Sequence, residues 1–192
     1  MMRNAQISMR LTVILALLIS FSAAAQAQGF KPPEKGKSVV YFARINKFQA
    51  VTQFLLFHGD QFVADFPGQS YVRYVCDPGE QLFWVSAENR DFILTELLPD
   101  KSYLVLVDAK AGQQMARVEL VPMITRHKDF HIAKWAITHK APVEESPQTV
   151  EAETRRMAPF IARCLAEYDQ LPEDEKEAKF MSADMSLPVE EF

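Results

Sequence analysis

The chain is 192 residues long, with 21 basic and 25 acidic residues, a formal charge of −4 and a hydrophobic content of 48%. That length suits one compact domain with an appendage. The acidic balance repels polyanions, and no basic run interleaved with aromatic residues stands out to reverse it locally, so no nucleic acid is expected as a partner.

Residues 1–27 read as a signal peptide: basic Arg3 and Arg10, an apolar run from Leu11 to Phe21, then small residues ending in Ala25-Gln26-Ala27. The apolar run falls short of the roughly 20 residues that a membrane span needs, so no integral span is expected after removal. Cleavage is expected after Ala27; it takes two basic residues and no acid, leaving 19 basic against 25 acidic residues and a charge of about −6. No cysteine lies near the cut to carry a lipid, and the expected address is periplasmic or secreted.

Residues 28–36, with Pro32-Pro33 and Gly36, read as a linker. From 37 to 122, short β-type runs alternate with turn residues, which predicts a mainly β domain built as an antiparallel β-sandwich. Val39 to Arg44 is apolar at both parities and therefore central. His58-Gly59-Asp60 predicts a hairpin between Phe54–Phe57 and Gln61–Phe66. Asp77-Pro78-Gly79 predicts a reversal between Tyr71–Val75 and Leu82–Ala87. Phe92–Leu97 continues the meander, and Pro99-Asp100 turns the chain into Tyr103–Val107, again apolar at both parities. Met115–Val121 closes the set and Pro122, which cannot donate to a ladder, ends it. Tyr41, Tyr71, Tyr74, Trp84 and Tyr103 are candidates for the core or a groove.

Residues 123–181 read as a C-terminal helical extension. Asp129 is placed to cap a short helix bearing Phe130, Ala133, Trp135 and Ile137, although alternation through the same residues also fits a strand. Ser146-Pro147 opens the next helix. Val150, Met157, Ile161, Leu165 and Tyr168 recur along it at helical spacing, and Pro159 within it predicts a kink or restart. Pro172 with Glu173, Asp174 and Glu175 opens a last acidic helix. Residues 182–192 read as a flexible tail.

The order Val39-Val40-Tyr41-Phe42-Ala43-Arg44, a hairpin ending near Phe66, Ser70-Tyr71-Val72, Pro78-Gly79-Glu80 and Pro99-Asp100-Lys101-Ser102-Tyr103-Leu104-Val105 resembles a family of exported bacterial proteins, domain-of-unknown-function family 2846. The likeness covers about residues 36–122 and rests on strand and turn order. It implies a small β-sandwich, often carried on lipoproteins, with no assigned activity and no catalytic residues to transfer. The chain departs from the lipoprotein members in lacking the acylated cysteine.

The chemistry-bearing residues are sparse. His127 and His131, four apart with Asp129 between them, have a spacing that binds a transition metal if all share a helical face. There is no His-Glu-x-x-His, and solvent-facing or capping roles are the competing reading, so no cofactor is expected. Pro67-Gly68-Gln69-Ser70-Tyr71 has one glycine where a nucleophile elbow needs two and reads as a turn. Cys76 and Cys164 leave two readings open, a disulfide in an oxidising compartment or two separate buried thiols. The stripe Val150, Met157, Ile161, Leu165 and Tyr168 either packs on the chain's own sandwich or presents an interaction face. The function expected is a non-catalytic binding or interaction module of the bacterial cell envelope, its partner another envelope protein or a second copy. The alternatives are a small metal-dependent or hydrolytic periplasmic enzyme and a structural homodimer built through the C-terminal helix.

Overall fold

A computed structural model describes residues 29–46, 52–114, 116–188 and 191. The signal peptide and its cleavage point after Ala27, the Met115 start of the last predicted strand, and residues 189, 190 and 192 of the predicted tail lie outside the described residues.

Strands β1 (Ser38–Arg44), β4 (Ser70–Cys76), β7 (Ser102–Ala111) and β8 (Ala116–Met123) form one sheet in the order β4-β1-β7-β8. Strands β2 (Phe54–His58), β3 (Gln61–Phe66), β5 (Gly79–Ser86), β6 (Arg90–Leu97) and the short β9 (Phe180–Met181) form the other, in the order β3-β2-β5-β6-β9. The two sheets face one another across a core of Val40, Phe42, Leu56, Phe83, Ile93 and Val105, so the mainly β two-sheet architecture holds. The sheets are mixed and not wholly antiparallel. β1 runs parallel to β7 and β6 parallel to β9.

The helices cover both outer faces of the sandwich. α1 (Phe130–His139) covers the outer face of the first sheet, where Phe130, Ala133 and Ile137 meet Val39, Tyr41 and Leu104. α2 (Pro147–Asp169) covers the outer face of the second, where Met157, Ile161 and Cys164 meet Phe57, Phe62 and Trp84. The result is four layers, helix on sheet on sheet on helix. This accounts for β1 and β7 being apolar at both parities, because a strand covered on both sides has no solvent face to make polar. A short α3 (Glu173–Glu177) follows, and α2 runs through Pro159 as one helix.

Two local expectations change. Asp77-Pro78-Gly79 does not close a hairpin: β4 and β5 belong to different sheets, and Gly79, at φ 106°, carries the chain across the sandwich. β8 continues through Pro122, which lies opposite Val105, because β8 is the last strand of its sheet and a missing donor is harmless on an edge. The far edge of β8 is satisfied by side chains instead. Asn89 accepts from the Val118 N–H at 2.7 Å and donates to its carbonyl at 2.9 Å, and Asp91 accepts from the Leu120 N–H at 2.6 Å. These bonds sew the two sheets together along one seam.

The predicted linker and tail are also structured where described. Phe30 is buried against Tyr41 and Phe130, and the Tyr41 hydroxyl accepts from the Lys31 N–H at 2.7 Å. At the other end Met181 is buried in the inter-sheet core, and Leu187 is buried in the α1 layer, its N–H donating to Ser102 O at 2.7 Å. Apolar side chains at these points anchor segments whose polar composition suggested freedom. Arg44 is fully buried at one end of the sandwich, its guanidinium lying 4.1 Å over the Phe54 ring and donating to the Thr52 and Phe66 carbonyls at 2.8 and 3.2 Å.

Candidate functional site

The seam opposite β8 is open. There the edge strands β3 and β4 diverge, and a groove of about 940 Å³ lies between them and the start of α2. Its apolar surface comes from Phe62 and Val63 on β3 and Val72 and Tyr74 on β4, with Val143 and Val150 on the opposing segment. The opposing segment is fixed at both ends. The Val143 N–H donates to Tyr71 O at 2.7 Å, and the Phe62 N–H donates to Thr154 Oγ1 at 3.0 Å. Between them Ser146 caps α2 by accepting from the Thr149 N–H, with Pro147 at the first turn, as that dipeptide predicts.

The groove is acidic at its rim. Asp60, Glu144, Glu145 and Glu151 line it against Arg73 and Arg155, and Arg155 is engaged by Glu151 at 2.5 Å. Arg73 donates to Pro32 O at 3.3 Å. Close by, burial raises the Asp65 carboxyl above the usual carboxylate range, the negative charge of Glu145 raises it further, and Arg44 opposes both.

One end of the groove is held by a polar network. His58 Nδ1 lies 3.0 Å from the Tyr74 hydroxyl, its Nε2 2.7 Å from Gln81 Oε1, and its ring stacks on Phe83. Burial pushes the Tyr74 phenol up to about 12. The hairpin tip is fixed from below, since Gly59, at φ 53°, accepts from the Trp84 indole at 2.9 Å and donates to Leu82 O at 2.8 Å. His58, at the hairpin tip as its place beside Gly59-Asp60 predicts, is half-buried and bonded at both nitrogens.

The other sequence candidates are dispersed. His127 sits in the turn before α1, where its Nδ1 accepts from the Asp129 N–H at 3.2 Å, and His131 is exposed on the helix. His127 and His131 thus do not share a helical face, because the helix begins only at Phe130. Asp129 occupies the cap position without a side-chain cap bond. Among the described residues no three His, Cys, Asp or Glu side chains converge as a metal set would.

Cys76 and Cys164 are both free and buried, Cys76 between the sheets and Cys164 beneath α2 on the outer side of the second sheet. That sheet stands between them. Burial pushes the Cys76 thiol up to about 12 and raises that of Cys164, so both are held as thiols.

The stripe on α2 faces inward. Met157 and Ile161 are buried, Leu165 packs against the same cluster, Tyr168 lies on Phe92 with ring centroids 5.0 Å apart, and only Val150 turns to the groove. Of the five aromatic candidates, Tyr41, Tyr71, Trp84 and Tyr103 are core, whereas Tyr74 belongs to the groove. The groove itself was not legible, because Phe62, Val72 and Val150 come together only when two strands are assigned to different sheets. No known protein-family profile matches the chain, and no curated protein matches it.

Proposed function

We propose that this protein is an exported, non-catalytic binding module of the bacterial cell envelope, and that its ligand is an extended segment bearing apolar and basic side chains. The observation that carries this reading is the groove at the open β3–β4 seam. Its volume of about 940 Å³ is lined by Phe62, Val72 and Val150 and edged by Asp60, Glu144, Glu145 and Glu151, a pattern that suits alternating apolar and cationic residues. The N-terminal sequence supports export, and the strand and turn order supports kinship with the uncharacterised exported family named above. The two cysteines are poor nucleophiles as buried thiols, and His58 is committed to Tyr74 and Gln81, which favours binding over catalysis.

The test uses the chain from Gln28 onward, which contains every described element, and short labelled peptides alternating valine with lysine or valine with glutamate. The lysine peptide should bind more tightly, and the pair of substitutions Glu144→Lys and Glu145→Lys should reverse that preference. Equal affinity for both peptides, unchanged by the substitutions, would refute the groove as the binding site.

A further inference from the structure

The outward side of α1 carries two of the four exposed large apolar side chains among the described residues, Ile132 and Trp135. Phe130, Ala133, Ala136 and Ile137 face the sheet, and the opposite side presents His131, Ile132, Trp135 and His139 as one exposed stripe. Trp135 is 54% exposed and Ile132 39%, whereas the other tryptophan, Trp84, is fully buried. The Trp135 indole stacks on the His139 ring at 5.0 Å and 15°, which holds it in place at the surface.

Charge is segregated in the same sense. Residues 126–140 carry Arg126, Lys128, Lys134 and Lys140 against the single acid Asp129, while residues 144–179, which hold α2 and α3, carry 10 acidic and 5 basic residues. The expectation that no stretch reverses the acidic balance is thereby corrected. Since α1 and α2 cover opposite outer faces, one side of the molecule is basic and aromatic and the other is acidic. Lys134 is engaged by Glu191 at 2.6 Å and Lys140 by Gln69 O at 2.8 Å, but Arg126 and Lys128 are exposed and have no ion-pair partner among the described residues.

From this juxtaposition we infer that the α1 face is a peripheral docking surface for an anionic phospholipid bilayer. The helix lies in the plane of the interface, with Trp135 and Ile132 among the headgroups and Arg126 and Lys128 on lipid phosphates. A duplex nucleic acid, whose outer surface offers phosphates and whose bases are already stacked, has no use for a protruding isoleucine and indole between the cations. The acidic α2 side is repelled by the same surface, so charge sets the orientation of the bound molecule as well as its attraction. This surface is separate from the groove, and neither reading depends on the other.

The chain from Gln28 onward is mixed with phosphatidylcholine vesicles, with or without about a third phosphatidylglycerol, and sedimented. Binding is expected to the anionic vesicles alone, to be lost at high salt, and to shift tryptophan emission to the blue, a shift that Trp135→Phe abolishes because Trp84 is already buried. Arg126→Gln and Lys128→Gln should each lower partitioning about fivefold. Both sites are exposed, and an unchanged circular dichroism spectrum excludes misfolding as the cause. Equal binding to neutral vesicles, binding to duplex DNA but not to anionic vesicles, or partitioning indifferent to both glutamine substitutions would overturn the inference.

Discussion

Replacing Ile161 with alanine separates a helix that packs on its own sheet from one that waits for a partner. Ile161 is 2% exposed and lies in the cluster of Phe57, Phe62 and Trp84. Truncation removes three carbons, worth about 0.8 kcal/mol each in transfer free energy, or roughly 2.4 kcal/mol. The cavity left behind adds to this, because Phe57 and Trp84 stack at 3.9 Å on strands paired on both sides and cannot close in freely. The expected loss is about 2–4 kcal/mol. Urea unfolding followed by circular dichroism measures it, with Ala162→Gln on the exposed side of the same helix as a control expected to change stability by no more than about 0.5 kcal/mol. A loss for Ile161→Ala no larger than the control, accompanied by dissociation of an oligomer in sedimentation, would show that the stripe docks outward and that its packing on the second sheet is wrong.

Two further outcomes follow from the same structure. Without reductant, Cys76 and Cys164 should both resist a water-soluble thiol reagent in the folded protein and both react in urea; no titratable thiol in urea would mean a bridge and would contradict the placement of the two on opposite sides of a sheet. Asp65 has a raised carboxyl, so its contribution to stability is complete below its unfolded value, near 4, and is lost as pH rises through the higher folded value. Asp65→Asn should therefore stabilise the protein at pH 7 and lose that advantage near pH 3. The same change in urea midpoint at both pH values would count against this account.

Most strand positions could be read from the chain, because the signals that set them are local. Alternation from Val39 to Arg44, the glycine in His58-Gly59-Asp60 and the Ser146-Pro147 opening of α2 each depend on a few neighbouring residues, and each appears where expected. The apolar stripe on α2 was equally visible. What lay opposite it was not, because one stripe serves equally for a neighbouring sheet or a foreign surface.

Which sheet each strand joins, and what covers it, was decided only by the tertiary structure. The turn at Asp77-Pro78-Gly79 has the same residues whether it closes a hairpin or crosses between sheets, and pairing of β5 with β2 and β6 settles the matter from a distance. Met181 and Leu187 are single apolar residues in polar surroundings, and only the pockets that receive them reveal that the C-terminal segment is docked. The groove and the basic aromatic face arise in the same way. Period and turn chemistry are properties of adjacent residues, whereas a groove, a covered face or a charged side is a relation between segments far apart in sequence, and it exists only once the four layers have stacked.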